Sequence, residues 1–154
     1  MSYPATFHQD FNEAIAWAKN VMANKSQYVI LDTETTGLDE TAQPIEIAIT
    51  DLDKKRLLNC RVKPTVPIHP KATEVHGITR DYLETAPFYN EYHPMVQDVT
   101  RGKRVLIFNE QYDTRIIQQV CVAFDLPYSM ADAVTECVMI PFSVYQGEWN
   151  PKYH

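Results

Sequence analysis

The stretch VILDTETTGLDE (29–40) places two acids, Asp32 and Glu34, one residue apart and directly behind an apolar run. Its first half reads as a strand, because aliphatic residues followed by threonines suit a pleated, half-buried surface. Alternate side chains of a strand share a face, so Tyr28, Ile30, Asp32 and Glu34 line one side while Val29, Leu31 and Thr33 line the other. Two carboxylates therefore continue an apolar column. Acids on a covered face need a partner or a cation, and like charges this close push one pKa upward. Simple solvation at a strand end would satisfy them equally well, so the rest of the chain has to decide.

Before the strand, residues 6–24 place Phe7, Phe11, Ala14, Ile15, Ala18 and Met22 at helical spacing, which predicts a leading amphipathic helix. After it, PIEIAITDLD (44–53) and KRLLNCRVKP (55–64) read as two more strands, and the short links make an antiparallel meander. The proline-rich segment that follows, through VHGIT (75–79), predicts a loop with one short helix, and Thr79 reads as the N-cap of another. Residues 87–101 look helical, RVLIF (104–108) reads as a short buried strand, and Glu110 to Phe124 as a helix. The stretch ADAVTECVMIPFSVYQGEW (131–149) looks helix-like but broken by Pro141. Three meander strands followed by helix, strand and helix predict a mixed α/β sheet whose later strand returns parallel to the first. Sites in such sheets gather at the carboxyl ends of the strands.

The 154 residues suit one domain, 1–154. A formal charge of −6 supplies no global positive field, so any nucleic-acid binding has to be local or metal-mediated. Cys60, Cys121 and Cys137 are odd in number with no CxxC pair, which reads as reduced thiols in a cytoplasmic protein. No window approaches the length of a membrane span.

A third acid tips the balance for Asp32 and Glu34. Ile116, Ile117, Val120 and Phe124 follow Asp113 at helical spacing, which puts Asp113 on the inward face of its helix, in the first turn. A helix N-terminus favours an acid, but the outward Glu110 would serve that purpose. If the strand at 104–108 lies parallel beside the one at 28–34, all three acids converge at one end of the sheet. Such oxygen donors suit Mg²⁺ or a similar hard cation. Two such ions roughly 3.5–4 Å apart activate water and stabilise a leaving oxygen in phosphodiester cleavage.

The combination of LDTETTGLD, IEIAITD, PKATEVHGIT and FNEQYD, in that order, resembles the DEDD-superfamily (DnaQ-like) 3′-to-5′ exonucleases, and in particular the proofreading type. The resemblance implies a ribonuclease H-like fold in which Asp32 and Glu34 form the first motif and Asp113 the second, all three catalytic and all three ligands of Mg²⁺ or Mn²⁺. It implies a substrate pocket of Thr35, Thr36, Gly37, Leu38, Ala72, Val75, His76 and Tyr112, gripping a single-stranded 3′ end of DNA or RNA. Hydrolysis would release nucleoside monophosphates. Where the family often carries His-Asn, this chain has Phe108-Asn109 and lacks that polar group.

The family's third motif pairs His with Asp five residues on, or Tyr with Asp four residues on, well after the second motif. His93 with Asp98 precedes Asp113, Tyr128 with Asp132 falls where an outer strand should begin, and His154 is terminal. All three read as decoys. GEWNPKYH resembles the middle of longer family members, so the sequence reads as an incomplete domain missing its C-terminal helix, with weak or no activity. That leaves one sheet face uncovered and predicts self-association through it, or marginal stability. The competing reading is a catalytically silent nucleic-acid-binding or protein-interaction module.

Overall fold

A computed structural model describes residues 7–147. Helix α1 (Phe7–Ala23) leads into strand β1 (Tyr28–Thr35), then β2 (Pro44–Asp51) and β3 (Arg56–Arg61). Helices α2 (Pro70–His76) and α3 (Tyr89–Thr100) precede β4 (Arg104–Ile107), α4 (Glu110–Ala123), β5 (Val134–Cys137) and α5 (Met139–Gln146). The sheet order is β3-β2-β1-β4-β5. β1, β2 and β3 pair antiparallel, whereas β4 lies parallel to β1, and β5 parallel to β4. The expected mixed sheet of meander plus parallel strands is therefore present, and with it the ribonuclease H-like architecture.

The two faces of the sheet differ in cover. Val29, Leu31, Ile47, Ile49, Val105 and Ile107 point to one side, where Val96 and Tyr89 of α3 and Ile117 and Val120 of α4 close over them. Burying each such aliphatic side chain is worth about 1.5–3 kcal/mol, so this face carries the stability of the domain. The other side presents Tyr28, Ile30, Asp32 and Glu34. There Val21 of α1 packs on Tyr28 and Leu106, with Trp17 and Val138 beside them, and the cover stops short of Ile30, which is 42% exposed.

Four local expectations need correction. On α1 the buried residue is Val21, with Trp17 half-covered, while Met22 is exposed. The helix is rotated because Trp17 Nε1 donates to Glu136 Oε2 at 2.8 Å, a polar anchor that periodicity alone does not reveal. Residues 134–137 form a strand, because the exposed edge of β4 takes up Val134, Thr135, Glu136 and Cys137 in parallel register. Pro141 does not break the helix after it; it sits in the first turn of α5, where the backbone N–H has no intrahelical acceptor to lose. Thr79 caps no helix, since Arg80 precedes the short 3-10 turn Asp81–Leu83 and Thr79 only offers its carbonyl to Tyr82 N–H at 3.2 Å. His154 and the rest of residues 148–154 lie outside the described residues, as does any cover they provide.

Candidate active site at the carboxyl end of the first strand

β1 loses register between Glu34 and Thr35, and the chain leaves the sheet there. In the last regular pairs Asp32 stands opposite Ala48, and Glu34 opposite Glu46. Asp113 arrives from the covered side, in the first turn of α4, and is 5% exposed. Thr33 Oγ1 donates to Asp113 Oδ1 at 2.7 Å, which fixes the carboxylate against the strand end. Burial pushes the Asp113 carboxyl up; the Thr33 hydrogen bond opposes this and the charge of Asp32 adds to it. Burial also raises Glu34, with His76 opposing and Asp32 and Glu46 adding. Asp32 thus acts electrostatically on both other acids.

The convergence is incomplete. Asp32 and Glu34 stand on the open face, and Asp113 approaches Thr33 on the covered one. Among the described residues no group of three or more His, Cys, Asp or Glu closes into a ready-made metal cage. The donor chemistry still fits a hard divalent cation: all three candidates offer carboxylate oxygens, and their mutual repulsion is what such an ion relieves.

Beside the acids lies a cleft of about 580 Å³ lined by Thr33, Glu34, Thr35, Gly37, Leu38 and His76, with Ala72, Val75 and Tyr112 completing the apolar wall. Leu38 is 79% and Val75 85% exposed, two aliphatic side chains held in water at the cleft. At Gly37 an added Cβ would stand 3.4 Å from the His69 Cβ, at van der Waals contact, so the loop packs closely against His69 there. Seven of the eight expected pocket residues line this cleft. Thr36 does not: it is buried, and its Oγ1 accepts from Gln43 N–H at 3.0 Å, so its role is to hold the loop.

Polar bonds fasten the cleft walls. Helix α2 ends at Gly77, whose φ of 73° suits glycine, and this turn points His76 back at β1. His76 Nδ1 accepts from Ile78 N–H at 3.0 Å, which leaves the proton on Nε2 to be donated to Thr35 O at 3.2 Å. Both ring nitrogens are thereby used by backbone, and a bond from His76 to a substrate oxygen requires giving up Thr35. The Tyr112 hydroxyl donates to Gly37 O at 2.9 Å and meets Thr35 Oγ1 at 2.5 Å. Arg115 donates to Leu38 O and Asp39 O, and Gln119 to Asp39 O and Ala42 O.

The two decoy pairs for a third motif that fall among the described residues are placed away from the acids. His93 is buried against Tyr89 and its Nε2 donates to Pro127 O at 2.8 Å, while Asp98 pairs with Arg101 at 3.1 Å. Asp132 precedes β5, and its carbonyl accepts from Gly102 N–H just before β4, at the opposite end of the sheet. Burial pushes its spacing partner Tyr128 up to about 12. Phe108, where a polar residue was missing, is half exposed and meets Phe142 edge-on at 6.1 Å between ring centroids.

Sequence reasoning missed Glu46, Lys71, His69 and Asp39. Glu46 was legible: it sits between Ile45 and Ile47, so it had to face the polar side of β2. Lys71 is the one Lys or Arg lining the cleft among the described residues, and only the fold of α2 brings it there.

A five-stranded mixed sheet with acids at the end of its central strand defines a ribonuclease H-like nuclease scaffold. The RNase T exonuclease family matches residues 29–153, and the chain belongs to that family. It is 35% identical to an uncharacterised exonuclease, CP81, of Escherichia phage 186, over 78% of this chain and 64% of that protein. It is 29% identical to the epsilon subunit of DNA polymerase III of Pasteurella multocida, over 81% of this chain and 54% of the subunit. The chain thus spans less than two thirds of the length of these relatives. Among solved structures, exonuclease X in complex with 5′ overhanging duplex DNA aligns with a TM-score of 0.54 and 27% identity, over 71% of this chain and 58% of that one. The metal-free E. coli exonuclease I–ssDNA complex aligns at 0.62 over 73% of this chain and 28% of that one; at 16% identity this is a likeness of fold.

Proposed function

We propose that this chain is a metal-dependent 3′-to-5′ exonuclease domain that removes terminal nucleotides from single-stranded DNA or RNA as nucleoside monophosphates. The observation that carries the reading is that Asp32 and Glu34 share one strand end with a cleft whose walls are Thr35, Gly37, Leu38, Ala72, Val75 and Tyr112. Asp32, Glu34 and Asp113 would hold Mg²⁺ or Mn²⁺, which when bound lowers the pKa of water and offsets charge on a leaving oxygen. Leu38 and Val75 offer apolar contact to the faces or edges of a terminal base, and Lys71 brings a positive charge for its phosphate. Tyr112 and His76 hold the loop carbonyls in place, so the cleft is formed before substrate arrives.

A DNA strand blocked at its 5′ end should be shortened to mononucleotides in Mn²⁺, and one blocked at its 3′ end should resist. Asp32→Ala should lower the rate at least about hundredfold, the scale for losing one charge-stabilising group. Loss from the 5′ end, or turnover indifferent to Asp32, would refute the reading. The catalytically silent module is the second reading, favoured by the open arrangement of the acids and by His76 having both ring nitrogens bound. Micromolar Mn²⁺ affinity that disappears in Asp32→Ala separates the two, because a silent module has no reason to bind the ion.

A further inference from the structure

Register carries the acidic row beyond the candidate site. On the open face Glu34 of β1 stands opposite Glu46 of β2, and Glu46 opposite Arg61 of β3. Arg61 is thus two strand spacings, about 10 Å, from Glu34 along the sheet. Its Nε lies 3.8 Å from Glu46 Oε2, a long contact, and its guanidinium carbon sits 3.8 Å over the ring of Tyr82. Tyr82 is 55% exposed. It comes from the 3-10 turn Asp81–Leu83, which is pinned because Leu83 is buried with Ile45 and Ile78. A flat cation over a flat ring, on a rigid turn, is therefore held open to solvent in line with the acids.

We propose that Arg61 and Tyr82 form a stacking platform for a nucleotide that follows the terminal one in a bound single strand; this rests on the nuclease reading above. The electrostatics call for such a contact. Asp32, Glu34, Glu46 and Asp113 crowd this end of the sheet, in a chain of charge −6, so an approaching polyanion is repelled unless cations flank the path. Lys71 stands in the cleft wall, and Arg61 at the end of the acidic row. Aromatic rings and guanidinium planes both stack on bases without regard to sequence, which suits an enzyme that walks along a strand. The distance from Glu34 places the platform past the nucleotide held at the acids. A plain surface cation–π pair would instead contribute a little stability and nothing to binding.

The test is binding by the full chain, in Ca²⁺, of 5′-labelled oligothymidylates from two to eight nucleotides long. In the wild type, affinity should rise at least fivefold between the dinucleotide and the octanucleotide. Tyr82→Ala should remove most of that rise, Tyr82→Phe should restore it, and dinucleotide affinity should stay as it was. A length dependence that survives Tyr82→Ala, or an equal loss for short and long strands, overturns the platform while leaving the nuclease reading intact. Failure of the wild type to bind any oligonucleotide overturns both. An unchanged thermal midpoint in Tyr82→Ala keeps a folding defect from imitating the expected result.

Discussion

The two faces of the sheet are made from the same strands and do opposite work. On the covered face, Leu31, Ile47, Ile49 and Ile107 are sealed beneath α3 and α4. On the other face the cover reaches Tyr28 and Leu106 and stops before Ile30, leaving Phe108 and Phe142 half in solvent. One residue step along β1 therefore separates a side chain that holds the domain together from one available to chemistry or to a partner. Stability and function share a strand by alternating along it, and Asp113 is the exception that reaches the site from the stable side.

The largest expected effect probes catalysis: Asp32→Ala, on the open face, should cost at least about hundredfold in rate while leaving the thermal midpoint nearly unchanged. Next comes packing. Ile117→Ala, under the covered face, should destabilise by about 2–5 kcal/mol, whereas Ile30→Ala should cost well under half of that, read from denaturant midpoints. Equal costs would erase the distinction between the faces.

The acids themselves sharpen it further. The folded-state carboxyl of Asp113 is raised by burial, so between its ordinary and its raised pKa the folded state binds more protons than the unfolded one. Stability then falls as pH rises through that window, and at neutral pH the charged Asp113 is a burden on the fold. Asp113→Asn should raise the melting temperature at neutral pH, and the gain should vanish as the pH falls below the ordinary carboxyl value of about 4, where the group is protonated in the folded and the unfolded state alike. The raised Glu34 and Asp113 also predict Mn²⁺ binding that weakens on the acid side sooner than ordinary carboxylates would allow, measurable by titration calorimetry. The smallest effect concerns the partly covered face: Phe142→Glu should reduce any concentration-dependent association seen by size-exclusion chromatography. A wild type that is monomeric at all concentrations and melts cooperatively would remove the case for self-association through that face.

Much of this was legible in the sequence because the strands obey a period of two. VILDTE announces which side chains face which way, and PIEIAIT repeats the pattern with Glu46 in the polar set. The helix of Asp113 was legible for the same reason at a period of 3.6. What could not be read depends on contacts distant along the chain. The helix-like pattern of residues 131–149 gives way at Val134–Cys137, where the outer strand expected just after Asp132 pairs with the edge of β4. The rotation of α1 was set by Trp17 meeting Glu136, 119 residues away. His76 was expected either at a substrate oxygen or capping local backbone; it lines the cleft, and two backbone groups hold its ring, a choice that depends on how the Gly77 turn sets it against β1.

The bonds from Arg115 and Gln119 to the carbonyls of Leu38, Asp39 and Ala42 have a kinetic implication. They make one jaw of the cleft a fixed extension of α4, with no hinge of its own. Under the proposed nuclease reading, a strand end would meet a wall already in place, with no closure of this jaw to wait for.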